Sequence, residues 1–122
     1  MEEEPYTDFF TLDGGSFPME IDVLINPDVE VATQYVKDNL DSTITACEFD
    51  GAAGLTFSAQ DGKPGIIWLS SIDDPGIVNH ELLHATINTM RYSGVLFSDS
   101  SEEAYAYQLQ HLTNQFYNKI KP

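Results

Sequence analysis

Residues 80–84 read His-Glu-Leu-Leu-His, and this spacing constrains the fold more than any other feature because its chemistry works only on a helix. Four residues carry a helix through just over one turn and about 6 Å along its axis, so His80 and His84 present their imidazoles from one face toward a common point. Glu81, beside His80 and offset around the helix, can reach a water held at that point without being a ligand itself. The flanks carry the punctuation such a helix needs. Asp74 and Pro75 pair a side-chain cap with a residue suited to the first turn, and Gly94 can end the helix in a left-handed conformation. Together they predict a helix from about Pro75 to Ser93.

The remaining patterns predict an α+β fold: a small β-sheet packed on this helix and on one C-terminal helix. Met19, Ile21, Val23 and Ile25 alternate with Glu20, Asp22 and Leu24, the two-residue period of a strand. Asn26 and Pro27 stop it and can cap a helix whose apolar stripe is Val29, Ala32, Val36 and Leu40. Three strands are expected next: Thr43 to Phe49, Leu55 to Ala59 after the Asp50-Gly51 turn, and Ile66 to Ser70 after a turn at Asp61 to Gly65. Ser100 and Ser101 can cap a last helix, with Tyr105, Leu109, Leu112 and Phe116 on one stripe, running almost to Lys121. Residues 1–18, with an acidic tip, Pro5, Gly14, Gly15 and Pro18, read as an extended arm, and residues 19–122 as a single domain, since 122 residues suffice for one core and not two.

Charge narrows the partners. With 20 Asp and Glu against 5 Lys and Arg the net charge is -15, which repels nucleic-acid phosphate and anionic membrane surfaces. Neither nucleic acid nor membrane is an expected partner. The single cysteine, Cys47, falls in a segment that reads as strand and is expected to be a buried apolar filler; one cysteine can form no intrachain disulfide. The acidic start and the absence of any long apolar run lead to the expectation of a cytoplasmic protein, bacterial or in a phage-infected host, or one associated with a virion assembled there.

A hydrolytic zinc site needs a third protein ligand and an open fourth position. Glu102, Glu103, Asp99 and His111 are the candidates by residue type, and Glu103, 18 residues beyond the motif on the next helix, has a spacing that lets two antiparallel helices meet at one ion. Glu103 could instead close a capping box with Ser100. A metzincin pattern would need Gly at position 87 and His at position 90, where the chain has Ile87 and Met90. With zinc held, Glu81 can take a proton from water that zinc has made acidic, and the hydroxide can attack a carbonyl.

HELLH at 80–84 followed by EEAYAYQLQ at 102–110 resembles the HExxH-x18-E arrangement of the gluzincin zinc metallopeptidases, in which the ligand Glu is commonly followed by a small residue, an aromatic and Ala, as Glu103 is by Ala104, Tyr105 and Ala106. The same segments are similar to small HExxH proteins encoded by phages and prophages. The resemblance covers residues 66–117 and implies a minimal zincin-like domain, one zinc ion on His80, His84 and Glu103, Glu81 as general base, and a peptide or protein substrate. It further suggests the Tyr107 hydroxyl as a partner for a zinc-binding imidazole, in place of an aromatic packed on the neighbouring helix, and the strand Ile66 to Ser70 as the edge to which a peptide adds. In the other view of that strand it is central and Trp68 is core. Tyr92 and Tyr105 are weaker candidates for oxyanion donors. No second subdomain of the kind that follows the ligand helix in large gluzincins is expected, and residues 1–122 hold no Gly-x-Met-Glu-Asn segment of the gluzincin aminopeptidases, so a protein partner that completes the cleft is expected, and exopeptidase action is not. The competing expectation is a non-catalytic, zinc-stabilised phage structural or adaptor protein.

Overall fold

The computed structural model describes residues 4–60 and 62–120, so the acidic tip at residues 1–3, Asp61 in its predicted turn, and Lys121 and Pro122 after the last helix lie outside the described residues. Four strands, β1 (Asp8–Asp13), β2 (Glu20–Ile25), β3 (Gly54–Phe57) and β4 (Gly65–Leu69), form one mixed sheet in the order β1-β2-β4-β3. β2 and β4 run parallel, whereas β1 and β3 pair antiparallel with their neighbours. Helix α1 (Val29–Asn39) lies on one face, and α2 (Pro75–Tyr92) and α3 (Glu102–Lys119) on the other. The fold is α+β, as the patterns predict.

Burial follows from this layering. Ile21, Val23 and Ile25 of β2 and Ile67 and Leu69 of β4 pack against Val78, Leu82, Ala85, Leu112 and Phe116 of the two long helices. Ile66 and Trp68 of β4 point the opposite way, against Ala32, Val36, Leu40 and Phe49. Every residue of β4 is buried, which is why its sequence is continuously apolar rather than alternating. The expectation that this strand offers a free edge is therefore corrected: β4 sits between β2 and β3, Trp68 is core, and the edge on the α2 side of the sheet is β3.

Three further segments differ from expectation, each for a local reason. The segment expected as an arm contributes β1, whose Leu12 is fully buried and whose Thr11 hydroxyl donates to Asp22 at 2.9 Å. Helix α1 begins at Val29 and not at Pro27, because the backbone of Asn26 still belongs to the sheet. Its amide donates to the Leu69 carbonyl and its carbonyl accepts from Trp68 Nε1, leaving Asp28 to cap the helix by accepting from the Glu30 amide. Thr43 to Phe49 is no strand: Asp41 accepts from both the amide and the hydroxyl of Thr43, and a short 3-10 helix, Ala46–Phe49, follows. Only Ile44 and Phe49 are buried there, and Cys47 is exposed, contrary to its expected place in the core.

The helix carrying HELLH ends as its sequence indicates. Asp74 accepts from the Gly76 amide at 2.8 Å with Pro75 in the first turn. At the far end Gly94 adopts φ 81°, the Gly94 amide donates to Arg91 and the Val95 amide to Met90, the paired closure that a left-handed terminal residue allows. Among the described residues no helix is long and apolar enough to cross a membrane.

Candidate metal centre

His80 and His84 occupy the solvent-exposed face of α2, with their Nε2 atoms 3.2 Å apart and ring planes inclined by 73°. Two nitrogens on a tetrahedral zinc ion, each at about 2.0–2.1 Å, would stand about 3.3 Å apart. This donor pair therefore fits one ion. Both rings converge because the helix stacks them one turn apart, and the Asp74 cap and Gly94 closure hold that helix at its ends.

Glu81 points elsewhere. It is only 5 % exposed and turned toward β3, where the Thr56 hydroxyl stands 2.7 Å from Glu81 Oε1 and 3.2 Å from the Glu81 carbonyl oxygen. A cleft of about 280 Å³ opens between the two elements, lined by Ala53 and Gly54 at the start of β3 and by Gly76, Ile77, His80 and Glu81 of α2. His80 and Glu81 of the motif thus border one cavity beside β3.

The third ligand expected on α3 is not brought to this pair. Glu103 is exposed in the first turn of α3, and no group of three His, Cys, Asp or Glu that could hold a metal is found among the described residues. Its neighbour Glu102 lines a groove of about 700 Å³ between α2 and α3, together with Leu83, Ile87, Leu96, Phe97 and Ala106. No capping box forms: α3 starts after Ser101, which makes no side-chain cap bond to the helix and donates instead to the Leu96 carbonyl. Asp99 is exposed in the loop between the helices.

The remaining candidates serve packing or surface contacts. His111 Nε2 lies 3.1 Å from Asp13 Oδ1, far along α3. The Gly15 amide and then the His111 ring hold the Asp13 carboxyl below its usual range. Tyr105 is buried and donates to the Val95 carbonyl at 2.6 Å, anchoring the loop before α3. Tyr107 is 64 % exposed, and among the described residues no hydrogen bond joins its hydroxyl to an imidazole. Tyr92 lines a separate cleft beside the β1–β2 hairpin. Thr56 and Gly54 escape sequence reasoning because they carry no motif, and threonine is among the residues ordinarily enriched in strands.

No protein-family model matches the chain, and no curated protein or solved structure matches it.

Proposed function

We propose that the chain is a zinc-dependent metallopeptidase of endopeptidase type, a minimal zincin-like domain with its active centre at His80, Glu81 and His84. The observation that carries this reading is the convergence of the two Nε2 atoms, 3.2 Å apart, with the buried Glu81 lining a cleft that His80 also borders. His80 and His84 would hold the ion. Glu103 is the third ligand that the gluzincin resemblance implies, and its reach to the pair requires a different placement of the first turn of α3. Zinc, when bound, would supply Lewis acidity for acidifying water and polarising a carbonyl.

The chain's own residues supply the rest. Glu81, shielded from bulk solvent, can accept a proton from water at a carboxylate oxygen and return it to the leaving amine. Among the described residues the outer edge of β3 carries no strand partner, so an extended peptide can add there through main-chain hydrogen bonds and pass the cleft that His80 and Glu81 line.

A second reading, a zinc-stabilised adaptor, is favoured by the α2–α3 groove, where Leu96 and Phe97 are 74 % and 66 % exposed. Both readings predict one zinc per chain by elemental analysis, lost on His80→Ala, and weakened more by Glu103→Gln than by Glu102→Gln. Glu81→Gln separates them, because only the peptidase loses hydrolysis of a mixed peptide library while retaining zinc. Metal-free protein from a zinc-replete preparation would overturn both.

A further inference from the structure

We infer that β3 fixes the geometry of the general base: Thr56 is a positioning residue for the Glu81 carboxylate, and Gly54 keeps open the space that its side chain occupies. The two positions lie on one face of β3, because residues two apart in a strand point the same way. The Thr56 hydroxyl has one proton and two acceptors within reach, Oε1 at 2.7 Å and the Glu81 carbonyl at 3.2 Å. The carboxylate is the closer and the stronger acceptor, so the proton belongs to Oε1. A Cβ placed on Gly54 would stand 2.9 Å from Glu81 Cγ, closer than real contacts allow. Glycine at 54 therefore admits the Glu81 stem, and Thr56 ties its end.

A glutamate has three side-chain torsions, and a buried one needs a hydrogen-bond partner to be held in one place. Thr56 is that partner and uses Oε1, which leaves Oε2 for the proton transfer proposed above. Because the same strand offers its outer edge to a peptide, one element orients both the base and the substrate backbone. The catalytic consequence rests on the peptidase reading; the positioning itself does not.

The test compares Thr56→Val, which removes the hydroxyl at constant shape, with Thr56→Ser, which keeps it. Side-chain scalar couplings in NMR spectra of the full chain report the Glu81 rotamers, with and without zinc, and peptide-library hydrolysis reports kcat and KM. Thr56→Val is expected to spread Glu81 over several rotamers and lower kcat about tenfold or more, with KM and zinc stoichiometry held, while Thr56→Ser restores the single rotamer and most of kcat. A purely structural threonine would leave the rotamer distribution unmoved. If Thr56→Val does not fold, Thr56→Ala carries the same expectation. One unchanged Glu81 rotamer in the hydroxyl-free variant, or a Thr56→Ser variant as disordered at Glu81 as Thr56→Val, would overturn the inference. If the rotamers respond as expected while no form of the chain hydrolyses peptide, the peptidase reading fails and the positioning role stands.

Discussion

Gly54 has ordinary backbone dihedrals, so what it contributes is the absence of a side chain and not conformational freedom. Besides Glu81 Cγ, a methyl there would meet Leu69 Cδ2 at 3.1 Å and the Trp68 carbonyl oxygen at 3.2 Å. Two of these neighbours belong to the buried central strand and cannot retreat. Gly54→Ala is expected to lower stability by about 1–3 kcal/mol through overpacking, measured from urea-unfolding midpoints. In a Glu81→Ala background, where Cγ is gone, the same substitution should cost less. Equal costs in the two backgrounds would show that the glycine serves the β4 backbone alone. Gly51 offers the opposite case: at φ 74° with nothing within 4 Å, any cost of Gly51→Ala is conformational.

At the scale of elements, the sheet is tied to α1 by a polar link as well as by the Trp68 cluster. Tyr35 donates to Asp22 Oδ2 at 2.7 Å, and Thr11 of β1 donates to the other oxygen. Burial first, and the adjoining Asp22 carboxylate second, push the Tyr35 hydroxyl well above the usual tyrosine value. Its folded pKa exceeds its unfolded one, so its contribution to stability is complete below about pH 10 and is lost as pH rises from there through the folded value. The wild-type chain should therefore lose stability above pH 10 more steeply than Tyr35→Phe, compared by urea unfolding between neutral and alkaline pH; parallel profiles would refute the linkage. How legible each element is in the sequence follows from where its partners lie. Helix α2 is readable because Asp74, Pro75 and Gly94 act within a few residues of its ends. β4 is readable as a strand, but its place between β2 and β3 depends on pairing across the chain. Thr43 to Phe49 misleads because β-branched residues suggest a strand where only Ile44 and Phe49 turn inward. In the candidate metal centre, the helical pair His80 and His84 is local and legible. Thr56, 25 residues from Glu81, is brought there by the fold alone.

For the whole molecule, 20 acidic against 5 basic side chains leave a net charge of -15 that folding compresses into a small volume. Compensation by contact is slight: among the described residues the basic–acidic contact within 4 Å is His111–Asp13, which pairs charges only when the imidazole is protonated. Some acids are placed favourably, Glu30, Glu102 and Glu103 in first helical turns, yet their interactions with the helix ends are local and leave the sum unchanged. Self-repulsion should consequently destabilise the fold at low salt. Raising sodium chloride from about 10 to about 150 mM shortens the screening length from about 30 to about 8 Å. That change is expected to raise Tm by about 3 °C or more, equally with potassium chloride. A flat or falling Tm would mean that the acids are spaced too widely to matter. Zinc at the proposed site would act on the same quantity by a different route, since an ion bound only to the folded chain adds stability that grows with its concentration, about 2.7 kcal/mol at a hundredfold excess over Kd. Screening by salt should act alike on wild type and His80→Ala, whereas the zinc increment should vanish in the variant. The two effects are thereby separable in one set of melting curves, and a zinc increment that survives His80→Ala would place the ion on the acidic surface and not on the helix.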